Sequence, residues 1–265
     1  MSTGTKHEAR PGVLARRWPA VAIGLVVVFF GTILLFDHRV AVTLANWPEG
    51  ELRFFAWLTE FGEGAVVLVP ALILWLGGLV GGALVRRYWW RWGLRGLSAV
   101  SGFTFAAVGL PGLISAILKR LFGRARPVWL DTEGVFSFSF FQPMRWDFQS
   151  FPSGHATTSL AFALAMVMLF GRAAWWVFVP AVLIAFSRVA IGMHFTSDMV
   201  FGVALGLFGA WAVGAFWRQR GWVFAPAPPA SGWRDRFVPV LGRQAGRIIQ
   251  RARRGSVRAR PTDRP

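Results

Sequence analysis

The hydrophobic residues of this chain are gathered into six runs that polar segments separate. The runs occupy residues 18–36, 65–85, 96–118, 156–170, 173–189 and 199–217. About 20 apolar residues form a helix that crosses the roughly 30 Å of bilayer hydrocarbon. A helix also satisfies its own backbone hydrogen bonds, as a segment in lipid must. The pattern therefore predicts an all-α protein, a bundle of six transmembrane helices, in which the short fourth helix begins near Ser153.

The composition supports a membrane protein and narrows its chemistry. Only 15% of the residues are charged and the mean hydropathy is +0.49, whereas soluble domains carry about 25% charged residues. The chain has no cysteine, which excludes disulfides and thiolate catalysis. The net charge of +17 lies mostly in terminal tails and loops beside the apolar runs. This distribution predicts membrane lipids, and no nucleic acid, as partners.

The apolar runs divide the chain into three regions. Residues 1–17 form a basic N-terminus, residues 18–217 a six-helix domain, and residues 218–265 a polybasic tail without a span. No small-residue cleavage site follows the first run, so it is interpreted as an uncleaved span. Two interpretations of the tail stay open. It is either a solvated segment that fixes topology or an interfacial helix over residues 237–254.

The positive charges also predict an orientation. If the N-terminus is cytoplasmic, 21 of the 29 Lys and Arg residues lie on the cytoplasmic side and eight lie opposite. Cytoplasmic loops carry such an excess in membrane proteins. We therefore expect both termini in the cytoplasm and the opposite helix ends outside it, in an inner-membrane type of location.

Three polar groups at the outer ends of these runs carry the candidate chemistry. Arginine makes planar, bidentate contacts with phosphate oxygens, and lysine adds a compact charge. A serine and a glycine at a helix start offer a hydroxyl and free N–H groups to an anion. The groups are Lys119 with Arg126-Pro127, then Pro152-Ser153-Gly154-His155, then Ser187-Arg188 with His194 and Asp198. They predict a phosphate site formed by Lys119, Arg126, Ser153, Gly154 and Arg188.

The two histidines predict a reaction at that phosphate. His194 and Asp198 are four residues apart, so on a helical turn they share one face. A carboxylate that accepts the Nδ1 proton leaves Nε2 free to attack phosphorus. His155 is then the general acid for the leaving oxygen. Because three cations already neutralise the phosphate oxygens, no metal or other cofactor is expected.

The three groups resemble the signature of the type 2 phosphatidic acid phosphatase and vanadium haloperoxidase superfamily. Lys119-x6-Arg126-Pro127, Pro152-Ser153-Gly154-His155 and Ser187-Arg188-x5-His194-x3-Asp198 match it at all eleven specified positions, in order. The resemblance implies a phosphohistidine intermediate on His194, with His155 as acid and base and Asp198 as the orienting carboxylate. It implies a membrane phosphatase that acts on a lipid phosphomonoester or pyrophosphate.

Several alternatives remain open at this stage. A lipid phosphotransferase shares every motif with a phosphatase, and a non-catalytic protein that binds anionic lipids needs the cations alone. Arg120 and Arg124 either contact a headgroup or face water. The aromatic loop over residues 128–151 is either a packed outer cap or an interfacial entry for lipid.

Overall fold

A computed structural model of the chain describes residues 13–141 and 145–224, and most of these residues are helical. One antiparallel β bridge joins Arg124 and Phe138. The tail after residue 224, including the suggested helix at 237–254, lies outside the described residues. The α-helices are α1 Val13–Thr32, α2 His38–Ala45, α3 Glu49–Thr59, α4 Gly64–Leu84, α5 Tyr88–Phe122, α6 Leu130–Glu133, α7 Gly154–Phe170, α8 Phe178–Ala190 and α9 Thr196–Arg220.

The six apolar runs all fall on helices, and the helices extend beyond most of the runs. A π-helical turn, Ile33–Asp37, joins α1 to α2 without a break. The third run lies within the 35 residues of α5, which continues through Pro111. Ser153 is the N-cap of α7, and its side chain accepts a hydrogen bond from the N–H of Ala156 at 3.5 Å. The predicted helix start near Ser153 is therefore confirmed.

The protein is an integral membrane protein. Five stretches of the described residues are long and apolar enough to cross a membrane: Ile23–Ala45, Glu49–Leu84, Tyr88–Phe122, Gly154–Ala190 and Thr196–Arg220. The stretch Gly154–Ala190 contains two α-helices, α7 and α8, joined by the 3-10 turn Gly171–Val177. Two of the six predicted helices thus fall within one candidate span.

Small residues on α9 allow it to pack closely against α5 and α7. A Cβ added to Gly206 would lie 2.3 Å from the carbonyl oxygen of Thr157, and one on Gly209 would lie 2.6 Å from Cβ of Pro111. Neither distance leaves room for a side chain. The small residues of α9 therefore serve close helix packing.

The packing brings one end of each long helix to the same place. Backbone and side-chain contacts described below join the residues at the C-terminal ends of α1, α5 and α8 to residues at the N-terminal ends of α4, α7 and α9. Polar groups near these six ends form the candidate site, while many large apolar side chains elsewhere on the helices are exposed. The candidate site therefore lies at one end of the helical bundle.

Candidate active site

The start of α7 places Ser153 and Gly154 beside the start of α9. The N–H of Ser153 donates to the carbonyl oxygen of Asp198 at 3.1 Å. A Cβ on Gly202, one turn further along α9, would lie 2.5 Å from the carbonyl oxygen of Ser153. Ser153 is fully buried. The starts of α7 and α9 therefore lie against each other, and the positive end of a helix dipole favours an anion.

Lys119 reaches this region from the last turn of α5. Its Nζ lies 3.7 Å from the position that a Cβ on Gly154 would occupy, and Oγ of Ser115 lies 3.9 Å from the same point. Ser115 is buried, and its hydroxyl has no hydrogen-bond partner among the described residues. Sequence analysis did not identify Ser115, because a lone serine within an apolar helix carries no motif.

Arg126 is held from two sides. Its Nε donates to the carbonyl oxygen of Trp146 at 3.1 Å, and NH1 lies 3.1 Å from Sδ of Met193. The guanidinium carbon also lies 4.8 Å from the centre of the Trp146 ring. Burial lowers the pKa of Arg126, while Asp147 acts in the opposite direction. These contacts aim the guanidinium at the loop that carries His194.

The loop after α8 joins Arg188 to His194. The carbonyl oxygen of Arg188 accepts the N–H groups of Met193 and His194 at 3.0 and 3.1 Å. The reversal requires Gly192, whose φ of +67° lies in the left-handed region. NH1 of Arg188 is 3.4 Å from Oγ1 of Thr59, and its buried Nε has no partner among the described residues.

His155 follows Gly154 on the first turn of α7 and packs against the start of α4. A Cβ on Gly62 would lie 2.7 Å from Cδ2 of His155 and 2.4 Å from Cγ2 of Ile184. The carbonyl oxygen of Gly62 also accepts a hydrogen bond from Thr158 at 3.0 Å. Gly62 therefore fixes how closely the imidazole approaches the 3-10 turn before α4.

His194 is almost completely buried, with 1% of its surface exposed, yet neither ring nitrogen has a hydrogen-bond partner among the described residues. Burial lowers the pKa of His194 well below 6.5, and the charges of Lys119, Arg188 and Arg126 lower it further. The ring is consequently neutral in the free protein. A neutral imidazole nitrogen is the form that can act as a nucleophile.

Asp198 lies beside His194, but the predicted hydrogen bond between them is absent. Oδ2 of Asp198 is 3.9 Å from Nδ1 of His194, which is longer than a hydrogen bond. The same oxygen already accepts the hydroxyl of Ser150 at 2.6 Å and the N–H of Phe195 at 2.9 Å. The prediction that His194 and Asp198 share one face of a helix was also wrong, because α9 begins only at Thr196 and His194 precedes it.

Both interpretations of Arg124 were wrong. This side chain has no exposed surface, so it neither faces water nor reaches a headgroup. It pairs with Asp198 at 2.5 Å and with Asp37, at the end of the π-turn, at 2.9 Å. Arg120 differs, since it is exposed and donates to the carbonyl oxygen of Ala116 on its own helix. Asp37 could not be identified from the local sequence, because its side-chain partners lie at least 87 positions away along the chain.

The aromatic loop has both packed and exposed members. Phe148 and Phe151 are buried, and the Phe151 ring contacts those of Phe29, Phe122 and Phe201. Five other rings are exposed, those of Trp129, Phe136, Phe140, Phe141 and Trp146. Within residues 13–141 and 145–224, no group of three or more His, Asp or Glu side chains is placed to hold a metal ion.

A phosphate group is the ligand that these side chains suit. Lys119, Arg126 and Arg188 converge on the neutral His194 and together lower its pKa, so the region is strongly electropositive. Fixed cations and helix N-termini stabilise the oxygens of a phosphoryl group during transfer. Since the cluster lies at the end of a membrane bundle, the fold and the site define a membrane phosphatase.

Comparison with known proteins agrees with this class. The PAP2 superfamily model matches residues 102–222. A lipid A 1-phosphatase of Rhizobium johnstonii is 32% identical over 222 residues, which are 84% of this chain and 89% of the relative. A decaprenylphosphoryl-5-phosphoribose phosphatase of Mycobacterium tuberculosis is 34% identical over 163 residues, 59% of this chain and 75% of the relative. The chain belongs to the PAP2 superfamily, and it is a membrane lipid phosphatase.

One solved structure is also similar. It is the crystal structure of a transmembrane PAP2-type phosphatidylglycerolphosphate phosphatase from Bacillus subtilis, at 19% identity and a TM-score of 0.48. The alignment covers 74% of this chain and 96% of the Bacillus chain.

The close contact at Gly62 leads to a test of the site's geometry. In Gly62→Ala the new methyl group overlaps His155 and Ile184, so the imidazole must move. A misplacement of about 1 Å in a catalytic constellation costs on the order of 100-fold in rate. We expect kcat for phosphate release from a lipid phosphate to fall about 10- to 100-fold, measured on purified protein in detergent.

Gly64→Ala is the matched control. A Cβ at this position would lie 3.7 Å from its nearest neighbours, Leu68 and Thr158, which is ordinary contact. Its activity should stay within about twofold of the wild type, because nothing near the site must shift. Equal activity of the two variants would contradict the placement of His155.

Proposed function

We propose that this enzyme hydrolyses the phosphate at position 1 of lipid A or of a closely similar glycolipid. The support is the similarity of most of the chain to a lipid A 1-phosphatase, which covers 84% of its residues. The observation that carries the chemistry is His194, a buried neutral imidazole with both nitrogens unpartnered among three cationic side chains. A purely structural histidine would have its polar atoms satisfied.

The proposed reaction has two steps at one phosphorus atom. Nε2 of His194 attacks phosphorus, the bond to the lipid oxygen breaks, and His155 gives that oxygen a proton. Water then attacks the phosphohistidine, with His155 taking the proton, and inorganic phosphate and free His194 result. The phosphate oxygens are held throughout by Lys119, Arg126, Ser153, Gly154 and Arg188.

Asp198 has the orienting role in this proposal. A carboxylate near Nδ1 fixes the tautomer that leaves Nε2 free, and it stabilises the positive ring that forms on attack. The distance of 3.9 Å is short enough to close to a hydrogen bond when the charged phosphate binds. Catalytic hydrogen bonds are often long before substrate is present.

An apolar groove supports a substrate with hydrocarbon chains. It has a volume of about 770 Å³ and runs between α4, α5, α7 and α8. Gly62 and Thr158 line one end, directly beside His155, and Phe170 and Trp176 line the other. At a rise of 1.5 Å per residue, α7 covers roughly 18 Å between Thr158 and Phe170. We propose that this groove receives an acyl chain while the phosphate lies at the site.

We also propose the membrane arrangement that such a substrate needs. Six helix ends meet at the site, alternating between C-terminal and N-terminal ends along the chain, as six successive crossings require. In this arrangement α7 and α8 cross separately within a domain spanning residues 18–217. The excess of basic residues supports cytoplasmic tails, at 1–17 and 218–265, and an active site on the outer face of a bacterial inner membrane.

Assays of phosphate release from different lipids test this function directly. Without added metal, the purified protein in detergent should liberate inorganic phosphate from lipid A 1-phosphate faster than from phosphatidate or undecaprenyl pyrophosphate. His194→Ala should lower kcat by about 10⁴-fold or more, since the nucleophile is lost. Arg86→Ala, an exposed residue after α4 at the far end of that helix, should be as active as the wild type.

Three results would contradict parts of the proposal. Activity of His194→Ala equal to that of Arg86→Ala would remove the mechanism. Preference for another lipid would remove the substrate assignment alone. Appearance of the phosphate on an acceptor lipid, with no free phosphate, would make the enzyme a phosphotransferase.

The lowered pKa of His194 gives a second prediction, for pH dependence. Because the environment holds this pKa well below 6.5, the ring stays neutral and nucleophilic as the pH falls through 6.5. The acidic limb of kcat/KM reports the free enzyme, so it should lie below pH 6.5. The substrate's own phosphate ionises near pH 6, so its pKa is measured separately by phosphorus NMR. An enzyme limb at or above pH 6.5 would contradict the placement of the ring among three cations.

A further inference from the structure

A buried chain of charges runs from the first helix to Asp198. Asp37, at the end of the π-turn after α1, pairs with NH2 of Arg124 at 2.9 Å. NH1 of the same guanidinium pairs with Oδ1 of Asp198 at 2.5 Å. The side chains of all three residues have no exposed surface. Two carboxylates and one guanidinium thus form a unit that water does not reach in this structure.

The contacts of Arg124 show that it is not a phosphate ligand. Its Nε and NH2 both donate to the carbonyl oxygen of Val135, at 3.2 and 2.7 Å, and NH1 also donates to Oγ of Ser197 at 2.7 Å. The guanidinium carbon lies 4.4 Å from the centre of the Phe195 ring. Its donors are directed at protein groups on every side, so the guanidinium is fixed in place.

Asp37 holds the start of α9 as well as Arg124. Its Oδ1 accepts the N–H of Ser197 at 2.9 Å, and its Oδ2 accepts the hydroxyl of Ser197 at 2.5 Å. Ser197 immediately precedes Asp198. A carboxylate at a helix N-terminus is favoured by the helix dipole and by the free N–H groups there. Asp37 therefore fixes the residue before Asp198 and, through Arg124, the carboxylate of Asp198 itself.

Stability alone does not account for three charges in this position. The desolvation of buried charges offsets much of their attraction, and well-packed apolar residues often replace them without loss. Ionisable groups within membrane helices are accordingly kept for function. The unit also faces the reacting histidine, because Oδ2 of Asp198 lies 3.9 Å from Nδ1 of His194.

We propose that Asp37 and Arg124 are positioning residues that hold the Asp198 carboxylate so that its Oδ2 faces His194. This inference rests on the roles proposed above for His194 and Asp198. Asp37 lies outside residues 102–222, where the superfamily model matches, and neither residue occupies a specified position of the three motifs. The first helix thus contributes to catalysis without touching the substrate.

The proposal predicts a loss in kcat with little change in substrate affinity. Asp37→Asn and Arg124→Gln each leave Lys119, Arg126 and Arg188 in place, so the phosphate is bound as before. The misplaced carboxylate no longer orients His194, and kcat should fall about 100-fold. KM for the lipid phosphate and inhibition by inorganic phosphate should each stay within about threefold of the wild type.

Arg124→Lys separates charge from geometry. A lysine keeps the positive charge and the net charge of the unit, but one ammonium cannot reproduce the planar fork that reaches Asp37, Asp198 and Val135 together. Its kcat should therefore stay well below that of the wild type. Arg120→Gln is the matched control, because this nearby arginine is exposed and donates to the carbonyl oxygen of Ala116 on its own helix. It should have wild-type kcat and KM.

The experiment measures kcat, KM and the inhibition constant of inorganic phosphate for these variants and for His194→Ala. Size-exclusion profiles and thermal unfolding in detergent identify folded protein. Should the two single variants not fold, Asp37→Asn combined with Arg124→Gln removes both members of the Asp37–Arg124 ion pair together. Arg124→Lys, which keeps the charge balance, provides the same test.

Each outcome decides the inference. A kcat loss at constant KM in folded Asp37 or Arg124 variants, or in the double variant, supports positioning. Wild-type kcat in any of these folded variants overturns it, as does a parallel loss of phosphate inhibition, which would show a damaged phosphate site. An active His194→Ala would instead remove the proposed mechanism. Inactive His194→Ala beside fully active network variants would remove only the positioning role.

Discussion

The structure of the site depends on one buried carboxylate. Asp198 has no exposed surface, and its two oxygens accept hydrogen bonds from Arg124, Ser150 and the N–H of Phe195. These donors come from three separate segments, and Arg124 adds the first helix through Asp37. A buried charge is tolerated only with partners at its lone pairs. Satisfying this single group therefore ties together the loops and helix ends that surround His194.

The architecture was largely predictable because a bilayer constrains a sequence strongly. Every apolar run became helix, and Ser153 marked the start of α7 as its capping chemistry indicated. The helix ends were less accurate. Polar residues such as Tyr88 and Arg91 extend α5 beyond its apolar run, because helical hydrogen bonding continues past the hydrocarbon. The 3-10 turn between α7 and α8 was not foreseen, since residues 171–177 are almost as apolar as their neighbours.

The motif residues converged at the site, whereas their supporting partners could not be foreseen. Lys119, Arg126, Ser153, Gly154, His155, Arg188, His194 and Asp198 all lie at one end of the bundle, and close contacts link them. Asp37 was missed and Arg124 was misinterpreted, because their pairing depends on tertiary packing between distant segments. The helical spacing of His194 and Asp198 was misleading for a related reason. Asp198 accepts the N–H of Phe195, and this cap begins the helix after His194.

The central claim is that His194 forms a transient bond to phosphorus at this site. The most direct test is rapid quenching of the enzyme in alkaline detergent during turnover of a lipid substrate labelled at its phosphate. The account predicts label on residue 194 as phosphohistidine, which is acid-labile and stable to base, and no label in His194→Ala. Label of equal amount in His194→Ala, or label on another residue, would contradict it.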